Sequence, residues 1–251
     1  MAILGCRGIP NHYGGFEQFA EQLATWLVQQ DHRVSVYNSS LHPYREKTYQ
    51  GVEIIHCYDP EDRLGTAGQL VYDLGCILDA RQRKFDVILQ LGYTSSAIWY
   101  GLHPRAVPVL TNMDGLEWKR SKYGPWARRF LRWSEARAAQ RSQALIADSL
   151  AIQSYLQETY GKPSTYIPYS AVVRDDLSSE AVHTILNSYG LTSGAYHLLI
   201  ARMEPDNHIH TILEGHQAAS EASTSTLPLI LVGKPANRYA QDLQAKYPDI
   251  I

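Results

Sequence analysis

The sequence predicts an α/β protein organised around a doubly wound, mostly parallel sheet. Short apolar runs alternate along the chain with segments whose apolar residues recur every three or four positions. The run at 85–91 is largely apolar, as expected of a strand buried on both faces of a parallel sheet. Residues 2–4 lead through a glycine-rich loop into a helical pattern. In such sheets ligands bind beyond the carboxyl ends of the strands, which selects the loops at 5–15, 92–95 and 112–124.

The composition is that of an ordinary globular protein with one large or two small domains. The chain has 251 residues and a net charge of −2, which argues against a general nucleic-acid binder. Cys6, Cys57 and Cys76 are scattered and form no C-x-x-C pair, which favours reduced thiols in a cytosolic protein. No apolar run approaches the ~20 residues of a membrane span, so we expect a protein that is soluble or bound at a membrane surface.

The first 28 residues predict a strand, a glycine-rich loop and a helix. Glycines such as Gly14 and Gly15 allow the backbone to approach a ligand closely, and the N-terminus of the following helix favours an anion. Arg7 would add a forked donor for that anion. The alternative is a glycine-rich turn that binds no ligand. The spacing Gly5-x-x-Gly8 does not match the dinucleotide-binding fingerprint.

The other elements follow from the same periodicities. Strands are predicted at 33–37, 51–58, 85–91, 107–111, 144–147, 165–169, 196–200 and 228–232. Helices are predicted around 70–78, near 95–102, at 125–141, from 149 to about 159, after 204 and at 237–246. Polar loops are predicted at 38–50 and 59–65, and Asp148-Ser149 is a candidate N-cap.

The segment GCRGIPNHYGGFEQFAEQLA resembles the opening of a bacterial branch of the family-4 glycosyltransferases. That branch begins with G-T-R-G-I-P-x-x-Y-G-G-F-E, and its members resemble rhamnosyltransferases that build capsule or O-antigen polysaccharides. Cys6 stands where the family usually has Thr. The resemblance implies a GT-B fold: a doubly wound Rossmann-like domain at 1–170, an interdomain passage at 171–195, and an incomplete second Rossmann-like domain at 196–251.

A second segment, NMDGLEWKR, also resembles the family and makes Asp114 the best catalytic candidate. Its carboxylate would contact the donor sugar or stabilise positive charge at the reacting centre. The alternative is an Asp-Gly turn closed by an Asx hydrogen bond. The candidate acceptor-binding residues are Arg7, Tyr13, Glu117, Trp118, Lys119 and Arg120.

The donor-binding candidates are Gly14, Gly15, Arg202 and Asn207. ARMEPDNHIH resembles the start of the second GT-B domain, where an Arg and a Lys five residues later contact the donor diphosphate. Arg202 matches that Arg, whereas Asn207 stands at the Lys position and removes one positive charge. For Arg202 the alternative is a surface ion pair. His208, His210 and His216 do not predict a metal site, because residues at i and i+2 of a helix do not share a face.

Residues 119–141 form a local basic block, with eight Lys or Arg against the single acid Glu135. One interpretation is a surface for anionic lipid headgroups or a lipid pyrophosphate acceptor. The other is a core-facing aromatic stripe of Trp126, Phe130 and Trp133 with a solvated basic face.

The resemblance therefore implies a retaining glycosyltransferase that uses a nucleotide diphosphate sugar as donor and needs no cofactor or metal. The acceptor would be a saccharide or lipid-linked saccharide, and the protein would be free in the cytoplasm or bound at the inner face of the cytoplasmic membrane. The alternatives are a GT-B sugar-nucleotide epimerase and an inactive, truncated binding remnant. The resemblance covers about two thirds of a typical family enzyme.

Overall fold

A computed structural model describes residues 1–120, 123–169, 177–223, 226–235 and 237–248. The chain divides into two compact units, Met1–Ala171 and Val172–Ile251. Lys122 of the basic block and the first part of the expected interdomain passage, residues 171–176, lie outside the described residues.

The first unit is built on an eight-stranded sheet with the order β3-β4-β2-β1-β5-β6-β7-β8. The strands are β1 (Ala2–Leu4), β2 (Ser35–Ser39), β3 (Thr48–Tyr49), β4 (Val52–Cys57), β5 (Ile88–Leu91), β6 (Val109–Asn112), β7 (Ala144–Ala147) and β8 (Ser164–Tyr166). All neighbouring strands are parallel except the edge pair β3 and β4. The parallel sheet predicted from the sequence is confirmed, whereas β3 lies in a segment predicted to be a loop.

Helices cover the two faces of this sheet. They are α1 (Gly15–Gln29), α2 (Glu61–Leu64), α3 (Gly68–Ala80), α4 (Pro125–Arg141) and α5 (Leu150–Tyr160), with 3₁₀ turns at Gly65–Ala67, Ser96–Leu102 and Glu117–Lys119. Along β1, Ile3 faces the core that contains Ala20 and Ala24 of α1, and its neighbours face the core formed with α3, α4 and α5. This alternation buries β1 on both faces, as the apolar runs predict.

The prediction of a helix at 125–141 is confirmed, but the interpretation of its aromatic stripe as core-facing is wrong. Trp126 is 84% exposed and Trp133 is 47% exposed, and Phe130 is also exposed. The face of α4 that enters the core carries small or polar side chains next to one leucine. Its buried residues are Leu131, Ser134, Glu135, Ala138 and Ala139. Small residues let α4 approach the sheet closely, which leaves no room there for the larger aromatic rings.

The second unit contains two parallel strands, β9 (His197–Ile200) and β10 (Leu229–Val232). Its helices are α6 (Ser179–Ser188), α7 (Ile209–Ala222) and α8 (Arg238–Lys246). Ile209 and Leu213 of α7 pack with Leu243 of α8 in its core.

Three local differences from the sequence-based elements have simple causes. The strand predicted at 165–169 ends at Tyr166, two residues before Pro168, which has no N–H for a sheet. The loop predicted at 59–65 contains the short helix α2. Ser149 alone caps α5, accepting a hydrogen bond from the Ile152 N–H at 3.3 Å, so Asp148 is released from that role. Within the described residues, no helix is long and apolar enough to cross a membrane.

Candidate functional site

The predicted site residues of the first unit gather at one edge of its sheet. The loop after β1 carries Arg7 to Gly15, the segment after β6 carries Asp114 to Arg120, and Asp148 and Tyr169 follow β7 and β8. Parallel strands direct all their carboxyl ends to the same edge, so segments far apart in sequence meet there.

Two glycines of the first loop are required by packing and not by a ligand. Gly5 has φ +85°, and a Cβ there would lie 2.1 Å from the Leu91 carbonyl oxygen. Gly8 has φ +125°, and a Cβ would lie 2.3 Å from Cγ of Asn38. Gly14 is different, because its φ of −169° is extended and a Cβ would meet only a Glu17 oxygen at 3.5 Å. Close approach of a ligand is therefore possible at Gly14.

The N-terminus of α1 already holds a carboxylate. Glu17, which the sequence reasoning did not single out, is 4% exposed, and its Oε1 accepts a hydrogen bond from the Arg7 N–H at 2.8 Å. Gly14 is the N-cap, with no side-chain hydrogen bond. An anion at this helix N-terminus has to lie beside a buried negative charge, which lowers the attraction expected from the helix dipole.

Arg7 is engaged within the protein. Its guanidinium forms an ion pair with Glu61 at 2.5 Å and lies 3.7 Å from the centre of the Tyr13 ring. Tyr13 itself is 55% exposed. Arg7 and Tyr13, two predicted acceptor-binding residues, are thus in contact. The Arg7 guanidinium makes a cation–π contact with the Tyr13 ring, which is otherwise exposed.

Asp114 has an unusual backbone for a residue other than glycine. Its φ is +48°, and its N–H donates to Oδ1 of Asn112 at 3.1 Å. The acceptor of this Asx hydrogen bond is the side chain of Asn112 and not that of Asp114, so the bond fixes the Asp114 backbone without using the Asp114 carboxyl group. Burial, then the charges of Asp148 and Glu117, raise the pKa of Asp114 to about 6. Positive φ is uncommon for non-glycine residues, and Asp is among those that tolerate it best.

A buried hydrogen-bond network joins the Asp114 segment to the core of the unit. Tyr93, at the carboxyl end of β5, has its hydroxyl 3.1 Å from the Gly115 carbonyl oxygen and 3.0 Å from Oε2 of Glu135. The other carboxylate oxygen of Glu135 accepts hydrogen bonds from Tyr155 at 2.7 Å and Tyr160 at 2.6 Å. Glu135 was counted in the sequence only as the one acid of a basic block, since nothing in its spacing reveals three tyrosines around it.

The remaining acceptor candidates surround the turn after Asp114. Glu117 forms an ion pair with Arg120 at 2.8 Å. Two cations lie near the Trp118 ring, with Lys119 Nζ 5.4 Å and Arg132 Cζ 4.8 Å from its centre. The indole N–H of Trp118 is buried without a hydrogen-bond partner among the described residues.

A groove of about 510 Å³ lies on the same unit between α1 and residues 167–169. Its lining is mostly apolar, with Phe19, Leu23 and Trp26 on one side and Tyr169 on the other. Of the predicted site residues only Gly15 borders it.

In the second unit, Arg202 follows β9 and is exposed, and no ion pair is described for it. Asn207 does not project freely, because its Nδ2 donates to the Arg202 carbonyl oxygen at 2.7 Å. Asn207 thus shapes the loop that carries Arg202. Among the described residues, no group of three His, Cys, Asp or Glu side chains is placed to hold a metal ion.

This architecture is the GT-B class of fold, and solved structures of that class superpose on nearly the whole chain. The structure of a glycosyltransferase from Rickettsia africae is 14% identical, with a TM-score of 0.59, and the match covers 100% of this chain and 67% of that one. The chain belongs to the family described as "Domain of unknown function (DUF1972)", whose model matches residues 1–172. No protein of curated function matches the sequence.

Two epimerase structures are equally similar. UDP-N-acetylglucosamine 2-epimerase from Rickettsia bellii is 15% identical, with a TM-score of 0.57 over 99% of this chain and 66% of that one. UDP-GlcNAc 2-epimerase from Neisseria meningitidis, bound to UDP-GlcNAc, is 12% identical, with a TM-score of 0.57 over 100% of this chain and 71% of that one. At such identities the likeness shows the fold alone. The chain spans about two thirds of the length of the solved structures it matches.

Proposed function

We propose that this protein transfers a hexose or deoxyhexose from a nucleotide diphosphate sugar to a saccharide or lipid-linked saccharide, with retention of configuration. The observation that carries the proposal is the partly buried Asp114 carboxyl group, held at positive φ at the carboxyl edge of the sheet in a GT-B fold. Rhamnose as the sugar, retention, and a bacterial polysaccharide precursor as the acceptor rest on the resemblance of GCRGIPNHYGGFE and NMDGLEWKR.

Asp114 has the acid strength that this role needs. With a pKa of about 6 its carboxyl group is mostly ionised at pH 7. A carboxylate in a partly desolvated site accepts a hydrogen bond from a sugar hydroxyl and stabilises the positive charge of an oxocarbenium-like transition state. The hydrogen bond of the Asp114 N–H to Asn112 fixes the backbone that carries the carboxyl group. The carboxyl group therefore loses little conformational freedom when a sugar binds.

The donor diphosphate is assigned to Arg202 of the second unit. Arg202 is exposed, and a guanidinium makes two parallel, charge-assisted hydrogen bonds to phosphate. Asn207 acts indirectly, by closing the loop that carries Arg202. These groups supply the stabilisation of the leaving diphosphate, and the proposal includes no metal ion.

The acceptor is assigned to aromatic and charged side chains of the first unit. Tyr13 backed by Arg7, and Trp118 flanked by Lys119, offer ring faces on which a sugar ring can stack. Glu117 and Arg120 offer hydrogen-bonding groups next to Asp114. This places acceptor contacts within one compact unit.

We also propose that α4 binds to the anionic inner face of the cytoplasmic membrane. Trp126 and Trp133 are exposed, and Arg129 lies on the same helix face at i+3 from Trp126. Exposed tryptophans beside arginines are typical of a helix that lies at the surface of a bilayer. A lipid-linked acceptor would then be reached without leaving the membrane.

Radiolabelled nucleotide sugars, incubated with a bacterial lipid extract and the protein, test the transfer. We expect label in the lipid or polysaccharide fraction, dependent on Asp114. Absence of transfer from every common donor, tested also with the gene's full open reading frame, would refute the proposal.

A sugar-nucleotide epimerase remains the second candidate, because the chain is as similar in fold to two epimerases as to a glycosyltransferase. Incubation of UDP-GlcNAc without any acceptor separates the two functions. Conversion to a second nucleotide sugar would favour the epimerase, whereas an unchanged nucleotide sugar with transfer to lipid favours the transferase.

A further inference from the structure

Three polar side chains converge beside Asp114 at the carboxyl ends of β6, β7 and β8. Asn112 ends β6 and pairs with Ile146 of β7, so Asp114 and Asp148 lie at equivalent positions, each two residues further along. Tyr169 lies three residues beyond Tyr166, the last residue of β8. Adjacent parallel strands thus deliver Asn112, Asp148 and Tyr169 to one place.

Each of the three has a buried polar atom without a hydrogen-bond partner among the described residues. These atoms are Nδ2 of Asn112, Oδ1 of Asp148 and the hydroxyl oxygen of Tyr169. Asn112 is 0% exposed, and its Oδ1 is fixed by the Asp114 N–H at 3.1 Å, which aims its NH₂ group into the cluster. Buried polar atoms are nearly always paired in folded proteins, so three open valences together indicate a site for a ligand.

The charges of these groups also act on one another, as expected of side chains that share one edge of the sheet. The Asp148 charge raises the pKa of Asp114. Burial chiefly, and then Asp114 and Asp148, raise the pKa of Tyr169, while the Asn112 side chain opposes that rise through a contact that is too weak in geometry to count as an ordinary hydrogen bond. The Tyr169 ring is held in place by Phe16 and Phe19, with ring centres at 6.4 Å and 5.6 Å.

The three unpartnered polar atoms match a neutral, hydroxyl-rich ligand. Asn112 offers a donor, Asp148 an acceptor and Tyr169 either, which matches a hydroxyl group that donates and accepts. Two carboxylates, Asp114 and Asp148, repel a phosphate. Arg120 lowers the pKa of Asp114 but is ion-paired with Glu117, so it does not make the cluster cationic.

We propose that Asn112, Asp148 and Tyr169 form a hydroxyl-binding subsite that holds neighbouring hydroxyl groups of a neutral saccharide against Asp114. The inference rests on the proposed function for its ligand class, and it adds three binding residues to which the sequence analysis gives no binding role. The saccharide is either the sugar of the donor or the sugar of the acceptor.

Unpartnered hydroxyls elsewhere in the unit serve as controls. Ser164 has a buried Oγ without a described partner, but it begins β8 and so lies at the opposite end of the strand from Tyr169. Ser164→Ala removes one hydroxyl group, as Tyr169→Phe does, and should leave saccharide binding unchanged. Tyr169→Phe keeps the ring that Phe16 and Phe19 contact, so the variant is expected to fold.

The test uses two probes on the full chain. Saturation-transfer NMR measures the binding of methyl α-glycosides of glucose, mannose and rhamnose, and calorimetry measures the ratio of affinities for UDP-glucose and UDP. We expect Tyr169→Phe and Asp148→Asn each to weaken saccharide binding about three- to tenfold. Asn112→Asp keeps the acceptor for the Asp114 N–H but replaces the donor by an oxygen of a third carboxylate, and should weaken binding more than tenfold. Ser164→Ala should change it less than twofold.

The two probes identify the source of the sugar. Loss of glycoside binding assigns the subsite to the acceptor, and a reduced UDP-glucose to UDP ratio assigns it to the donor. The proposal is overturned if neither quantity responds to any of the three variants, or if the wild type binds no glycoside and does not distinguish UDP-glucose from UDP. Saccharide binding that responds to the variants, in a protein without transfer activity, would remove the proposed function and keep the subsite.

Discussion

The hydroxyl of Tyr93 lies 3.0 Å from the carboxylate of Glu135 and 3.1 Å from the carbonyl oxygen of Gly115. Tyr93 follows β5, Glu135 lies on α4, and Gly115 follows Asp114. One phenol therefore links the core of the first unit to the segment that carries the catalytic candidate. Glu135 is 1% exposed and accepts hydrogen bonds from two further tyrosines, so its position is strongly determined.

Glu135→Gln should lower the free energy of unfolding by about 2 kcal/mol, because hydrogen bonds to a charged group contribute roughly 1.5–3 kcal/mol and an amide turns one acceptor into a donor. Urea unfolding followed by circular dichroism measures the change. Tyr93→Phe should cost about 1 kcal/mol and also slow transfer, since the Asp114 segment loses its anchor. Tyr58→Phe is the control, because Tyr58 is 63% exposed. Equal stability of the Glu135 variant and the control would show that the network contributes nothing.

Asp114→Asn should reduce the rate of sugar transfer at least a hundredfold while UDP affinity stays within twofold of the wild type. The amide keeps the size and the polar surroundings but not the charge that stabilises the transition state. Single-turnover assays measure the rate, and calorimetry with UDP measures the affinity. A variant with normal transfer would remove Asp114 from the reaction.

The wild-type rate should also fall at acidic pH with a midpoint near 6. The pKa of Asp114 is raised to about 6, so the ionised form that the mechanism needs is lost as the pH falls through that value. A carboxylate with an ordinary pKa would keep the rate constant down to about pH 5. The slope of the pH–rate profile should disappear in whatever residual activity Asp114→Asn retains.

Arg202→Ala should weaken the binding of UDP about ten- to a hundredfold. A charge-assisted hydrogen bond from a guanidinium to phosphate contributes roughly 1.5–3 kcal/mol. Arg238→Ala is the matched control in the same unit, because Arg238 is highly exposed and only 3.9 Å from Asp242 in a weak ion pair. Calorimetry that gives the same affinity for both variants would leave Arg202 with a structural role only.

Replacing Arg128, Arg129 and Arg132 by Gln should reduce binding to vesicles rich in anionic lipid about a hundredfold, at about 1 kcal/mol for each arginine near the surface. A triple variant with Gln at the exposed positions Arg81, Lys84 and Arg105 removes the same charge elsewhere and should bind normally. Trp126→Ala should weaken binding further. Co-sedimentation without and with salt measures the effect, and a wild type that stays in the supernatant at low salt would refute membrane docking.

Asp73 should make the protein less stable as the pH rises from about 4 to 7. Burial raises its pKa from 3.8 to about 7, although Ser95 donates a hydrogen bond to it at 2.5 Å. In this window the unfolded chain releases the proton while the folded protein keeps it, so stability falls with pH, by up to roughly 4 kcal/mol. Asp73→Asn should therefore stabilise the protein at pH 8 relative to the wild type, and less so at pH 4.5. Urea unfolding of both proteins at the two pH values isolates this group.

The sequence by itself determined the fold class and the edge of the sheet where the site lies. Helix α4 and strand β7 occur at the residues predicted, because Pro125 and the apolar run at 144–147 are strong local signals. The position of Asp114 after a buried strand was likewise evident, since ligand sites in parallel sheets follow the strand ends.

Only the tertiary structure decided which way side chains face and which of them meet. The aromatic stripe of α4 has the spacing of a core face, but Ala138 and Ala139 take that place because close packing on the sheet favours small residues. Asn112, Asp148 and Tyr169 are separated by 36 and 21 positions in the sequence and meet only because β6, β7 and β8 are adjacent and parallel. Periodicity reports a residue's neighbours along its own element, whereas a site at a sheet edge depends on pairing between elements, which no local pattern encodes.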